Sequence, residues 1–150
     1  MKAAARACAL LLMTGMAGAA RADGEIDGLI RNAAADRSHV PALMRQLVLQ
    51  RVYVIGTLDR QRVTGLHVQD FIRNGRSFIP VFSDEAHFNA ETQGSGFEAR
   101  GVAIDANLFA SILRGDELLV PNPGSPTPVD LDAKDFKALI DSDRLPKGGI

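Results

Sequence analysis

Few residues in this 150-residue chain have the type and spacing to do chemistry, and His87 with Glu91 is the first pair. Four apart on a helix, they share one face and could meet a cation, with His67 approaching from a neighbouring hairpin. That trio, His67, His87 and Glu91, would suit a small metal-assisted hydrolase. Its frame is thin, because metal sites need three or four ligands in fixed geometry and neither a His-Glu-x-x-His run nor a Cys pair is present. A solvated helix face is the preferred reading, and no cofactor is expected. Asp84-Glu85-Ala86-His87 spells a helicase box, but no Gly-x-x-x-x-Gly-Lys-Ser/Thr loop accompanies it. Nucleophilic catalysis has no Gly-x-Ser-x-Gly elbow, and the lone cysteine is Cys8. Gly94-Ser95-Gly96 is too short for a dinucleotide loop and reads as a turn. An enzyme is therefore the less favoured class.

A binding edge is the stronger expectation, and it depends on the elements that position it. Ile26, Leu29, Ile30, Ala33 and Ala34 take helical spacing, as do Val40, Leu43, Met44, Leu47 and Val48. Ser38 is placed to cap the second helix, with Pro41 in its first turn. Val52 to Ile55 reads as a buried strand, turning through Asp59-Arg60-Gln61-Arg62 into a partner at Val63 to Val68. Ser77 to Phe82 is a strand whose Pro80 must sit where the ladder can spare a donor. Ser83 is expected to cap a short helix, Val102 to Ile104 to form a strand, and Asp105 to cap a helix carrying Leu108, Phe109, Ile112 and Leu113 that stops at Gly115. Leu118 to Val120 is a strand, Pro123-Gly124 suits a type II turn, and Asp132 starts a last helix with Phe136, Leu139 and Ile140 inward. This alternation predicts an α/β domain, bordering on α+β, with a mixed, partly parallel sheet flanked by helices. Parallel strands would set Ser83, Asp84, Asp105, Asn107 and Asn122 along one edge beside helix N-termini, where open α/β sheets bind ligands.

Composition narrows the class. The formal charge is −1 and 46% of residues are hydrophobic, too apolar for a disordered tail and too neutral for a general nucleic-acid binder. Residues 1–22 account for much of the apolar excess: Lys2 and Arg6, an uncharged stretch with Leu10-Leu11-Leu12, then Ala20-Arg21-Ala22. A charged start, an apolar centre and a small-x-small ending predict a secretory signal peptide cleaved after Ala22. The apolar stretch is short of the ~20 residues that span a bilayer, so no stable membrane anchor is expected. The remaining chain carries 14 basic and 18 acidic residues and no Cys. Its expected location is periplasmic or secreted, with a domain at 23–140 and a fraying tail at 141–150. Charge is uneven: residues 31–76 hold eight Arg against three Asp, and residues 77–150 hold 12 acids against six bases. Pairing of these charges across the fold is preferred over an arginine-rich docking face.

Phe78-Ile79-Pro80-Val81-Phe82-Ser83-Asp84-Glu85 resembles the apolar-Pro-Val-Phe-Ser/Thr segment of the SseB family, and Leu118-Leu119-Val120-Pro121-Asn122-Pro123-Gly124 resembles its strand ending in Asn-Pro-Gly. Val102 to Leu113 and Ile26 to Ile55 are similar to further parts of the family's N-terminal domain, together covering about residues 25 to 140. Pro121 departs from the β-former usual there. The resemblance implies an α/β domain of poorly defined function, associated by name with serine sensitivity, with no agreed active site. The expected activity is non-enzymatic recognition of a protein or small molecule.

Overall fold

The computed structural model describes residues 24–58 and 65–144. The signal-peptide segment, the turn at 59–62 and residues 145–150 lie outside the described residues. Two helices open the domain, α1 (Glu25–Ala35) and α2 (Val40–Leu49), joined by a 3₁₀ turn at Arg37–His39. Ser38 does not cap α2, whose N-cap position is His39 with no side-chain bond; the capping bond is one turn earlier, where the Asp36 carboxylate accepts the Ser38 N–H of the 3₁₀ turn at 2.9 Å. An aspartate one residue before the turn reaches the exposed N–H groups that the serine, already inside the turn, cannot.

Next come β1 (Val52–Leu58), β2 (Leu66–Val68), β3 (Phe71–Arg73) and β4 (Arg76–Phe82), then α3 (Glu85–Thr92), β5 (Gly101–Ile104), α4 (Ala106–Ile112), β6 (Leu118–Pro121), β7 (Leu131–Asp132) and α5 (Ala133–Arg144). The seven strands form one mixed sheet, and the protein is an α/β single domain. β1 pairs antiparallel with β2, β4 and β5, and β4 pairs parallel with β6. The expected series of parallel strands reduces to this one parallel neighbour pair. β5 leaves β4 for the far side of β1, carried there by α3 and the loop after it. Gly101 permits the placement, since a Cβ at that position would stand 2.8 Å from the Phe88 ring on α3.

A short hairpin joins β3 to β4 through Asn74-Gly75, both left-handed (φ 53° and 76°), the pattern of a type I′ turn. Pro80 meets its constraint. The Asn122 N–H bonds the Val81 carbonyl, so Val81 faces β6 and Pro80 faces the other side. There the β3 register ends at Phe78 and the β1 register begins at Val81, leaving no strand for Pro80 to donate to.

Alternation along β1 and β4 divides the core. Val52, Val54, Ile79 and Val81 face Ile26, Ile30, Leu43, Leu47, Phe109 and Phe136 of the helical layer. Ile55, Phe78 and Phe82 face the opposite side with Phe71, Phe88 and Val120. The Phe82 and Phe88 rings meet edge-on with centroids 5.2 Å apart.

Charge pairing across the fold is visible at the start of β4. Arg73 bonds Asp130 at 2.8 Å and Arg76 bonds Asp132 at 2.9 Å, basic residues of the first half meeting acids of the second. Asp132 thus directly precedes α5 while its carboxylate serves Arg76. α5 itself runs to Arg144, past the point where the tail was expected to begin. No helix among the described residues is long and apolar enough to cross a membrane.

Candidate functional site

Where β4 and β6 end side by side, a buried histidine is held between two carboxylates. Asp84 is the N-cap of α3, its Oδ1 accepting the His87 N–H at 2.7 Å. Ser83, expected as that cap, instead belongs to the preceding bend and bonds across to Asn122. The same Asp84 Oδ1 lies 2.7 Å from His87 Nδ1. On the other side of the ring, Nε2 lies 2.7 Å from Asp27 Oδ2. Asp27 arrives from the first turn of α1, where its carboxylate also accepts the Gly24 N–H at 3.2 Å. His87 is 2% exposed.

An imidazole with a carboxylate on each nitrogen donates from both, which requires the imidazolium. The Asp27 bond, with Asp84 adding to it, accordingly raises the His87 pKa above the ordinary histidine value despite burial. Burial pushes the Asp27 and Asp84 carboxyls up, but bonds to His87 and to backbone N–H groups leave both below the usual aspartate value.

Asn122 closes the network. It sits just past β6 in the left-handed region (φ 41°), a conformation asparagine tolerates, and is fully buried. Its amide donates to Asp27 Oδ1 at 3.1 Å and to Ser83 Oγ at 3.0 Å, and its Oδ1 accepts the Ser83 N–H at 2.9 Å. The Asn122 carbonyl accepts the Ser125 N–H, closing a turn around Pro123-Gly124. Gly124 is not among the left-handed glycines, so the turn is not type II. Glu91, one turn below His87 on α3, accepts the Gly124 N–H at 3.2 Å and ties this loop to the helix.

Of the edge residues expected from sequence, Ser83, Asp84 and Asn122 share this cluster. Asp105 and Asn107 lie in a neighbouring groove of about 340 Å³, lined also by Leu49, Gln50, Arg51 and Asp143. Asp105 caps α4 as expected, accepting the Leu108 N–H at 2.8 Å. Gln50 links the two places, its amide donating to the Ser83 carbonyl at 3.1 Å. The His67, His87 and Glu91 trio is not assembled. His67 is exposed on β2 above two shallow cavities that neither of the others lines, and both His87 nitrogens are already engaged. Among the described residues, no three His, Cys, Asp or Glu side chains are arranged to hold a metal ion.

Two members of the cluster escaped sequence reasoning as partners, Asp27 and His87. Asp27 adjoins the apolar stripe of Ile26, Ile30 and Ala33, and an acid beside the buried face of a helix was the available signal.

The arrangement restricts chemistry. Ser83 Oγ is 3.4 Å from His87 Nδ1, whereas Asp84 Oδ1 is nearer at 2.7 Å, so with the ring pKa raised the Nδ1 proton is directed at the aspartate and the serine is poorly placed to pass its proton to the ring. These bonds tie α1, the β4–α3 bend and the loop after β6 into one charged junction.

The chain's N-terminal-domain resemblance is borne out by comparison with protein families: the SseB protein N-terminal domain matches residues 26–138. Among curated proteins and solved structures, none matches the chain. With most of its length inside that match, the chain belongs to the SseB family through its N-terminal domain.

Proposed function

We propose that this protein is an exported, non-enzymatic binding module that recognises a protein or small molecule at the sheet edge beside β4 and β6. The observation carrying this reading is the geometry at His87, where a carboxylate oxygen lies 2.7 Å from each ring nitrogen. A histidine held this way serves as a structural cation rather than a general base, and the Ser83 carbonyl beside it accepts the Gln50 amide from the wall of the neighbouring groove at 3.1 Å. That groove combines an apolar wall, Leu49 being 78% exposed, with the polar groups of Gln50, Arg51, Asp105 and Asn107. Apolar surface with a few convergent polar groups is the usual make-up of a ligand site.

Site-specific photo-crosslinking tests the reading. A probe at Leu49 or Asn107 in the exported protein should capture a reproducible partner. A probe at Ile72, an exposed position outside the groove, should not. Adducts from Ile72 alone, or none from the groove, would remove the groove as the site. Export has its own measurement: the intact mass of protein recovered outside the cytoplasm should begin at Asp23. A mass retaining Met1 to Ala22 would contradict it.

A further inference from the structure

The groove at Leu49 continues a second hollow along the same pair of helices. Val40, Pro41, Met44 and Arg45 from the start of α2 line that hollow with Asp135 and Leu139 of α5. Val48, Leu49 and Arg51 from the end of α2 line the groove with Ile140 and Asp143, so the two helices run side by side in the same direction. Both hollows have apolar side chains between their rims. The rims carry opposite charge: at each level an arginine comes from the α2 side and an aspartate from α5. Arg45, Arg51, Asp135 and Asp143 are all exposed. Among the described residues none of them forms an ion pair, and Arg51 bonds only the Ala103 carbonyl at 3.3 Å. Opposite charges thus share each hollow without neutralising one another.

We propose that a second copy of this chain covers the face formed by α2 and α5, about a two-fold axis parallel to the two helices. The inference rests on the reading of the groove as a binding site and names its partner. Charge complementarity selects the second copy. A two-fold axis laid between the helices keeps every residue at its own height and exchanges the rims, so α2 of each copy lies over α5 of the other. Arg45 then meets the other copy's Asp135, and Arg51 meets the other copy's Asp143, at both ends of the contact. A foreign segment would have to bring that order of charges with it, whereas this chain already carries it. The same arrangement buries Leu49, a large apolar side chain left 78% exposed in the single chain. α2 has 10 residues and is therefore about 15 Å long, so the contact belongs with small, transient interfaces that dissociate on dilution.

Sedimentation of the protein as the cell produces it, across a wide concentration range, tests the proposal. The mass should rise to twice that of one chain. Arg45→Glu and Asp135→Lys should each hold it at one chain, because either change sets like charges opposite one another across the axis. Both positions are exposed, so the fold is spared. An equimolar mixture of the two variants should recover the doubled mass: the new glutamate of one chain meets the new lysine of the other, and the unaltered Asp135 and Arg45 meet in the remaining contact. A single-chain mass throughout would overturn the proposal. So would a doubled mass that either variant leaves intact, or a mixture that stays at one chain. The crosslinking probe at Leu49 separates this failure from failure of the groove reading. A single-chain mass with adducts to a different protein removes the second copy and leaves the groove as a binding site, whereas no groove adduct at all removes both.

Discussion

Replacing Asp27 by Asn keeps the shape of the side chain and removes the charge that faces His87. Asp27 makes three bonds: to His87 Nε2 at 2.7 Å, from the Gly24 N–H at 3.2 Å and from Asn122 at 3.1 Å. A hydrogen bond to a charged group contributes about 1.5–3 kcal/mol, and breaking a buried ion pair costs about 3–5 kcal/mol. The upper figure is reduced here because Asp84, half exposed, still holds the other ring nitrogen. The expected loss is therefore about 2–4 kcal/mol, or roughly 6–15 °C in Tm for a domain of this size. Circular dichroism during thermal and urea unfolding reads it, and the pH dependence makes the result specific. A folded-state pKa raised above the ordinary histidine value of ~6.5 means that the contribution is complete below that pH and is lost as pH rises through the higher folded value. Wild-type stability should fall across that alkaline arm, and Asp27→Asn should flatten the fall. A loss below about 0.5 kcal/mol, the range of ordinary surface changes, or an unchanged alkaline slope, would refute the reasoning.

Other consequences follow from the same network and its surroundings. At acid pH the carboxyls act with the opposite sign: Asp27 and Asp84, both below the usual aspartate value, contribute fully above ~3.9 and lose that contribution as pH falls through their folded values. An Asp84→Asn variant should show a shallower acid transition in a pH titration of ellipticity. Asn122→Gly keeps the left-handed backbone but deletes three side-chain bonds, so urea unfolding should report a loss of about 1–3 kcal/mol. Gly101→Ala drives a Cβ into the Phe88 ring and should cost about 1–3 kcal/mol, with Phe88→Leu in the same chain recovering part of it. His67→Ala, on an exposed strand position, should leave stability within about 0.5 kcal/mol.

Local chemistry made much of the fold legible. Helical spacing located α1, α2, α4 and α5, and β-branched runs located β1, β4, β5 and β6. The β3–β4 hairpin went unread because Phe71-Ile72-Arg73 is too short for periodicity to register, although Asn74-Gly75 is a strong turn signal. The place of β5 was not legible at all. Whether a strand joins β4 or β1 is decided by how the intervening loop and Phe88 pack, which is information far apart in sequence. The site divides in the same way. Ser83, Asp84 and Asn122 follow strand ends and could be placed on one edge by topology. Asp27 joins them from 60 residues before His87, and only the packing of α1 brings it there.

The claim that this edge binds rather than reacts rests on the protonation state of one ring. Nitrogen-15 NMR of the His87 imidazole reads that state directly. The account predicts an imidazolium, with both nitrogens protonated at neutral pH and deprotonating only above the ordinary histidine range, coupled through hydrogen bonds to Asp27 and Asp84. A neutral ring at pH 7 with Nδ1 unprotonated beside Ser83 would contradict it, since that nitrogen would then be available as a base.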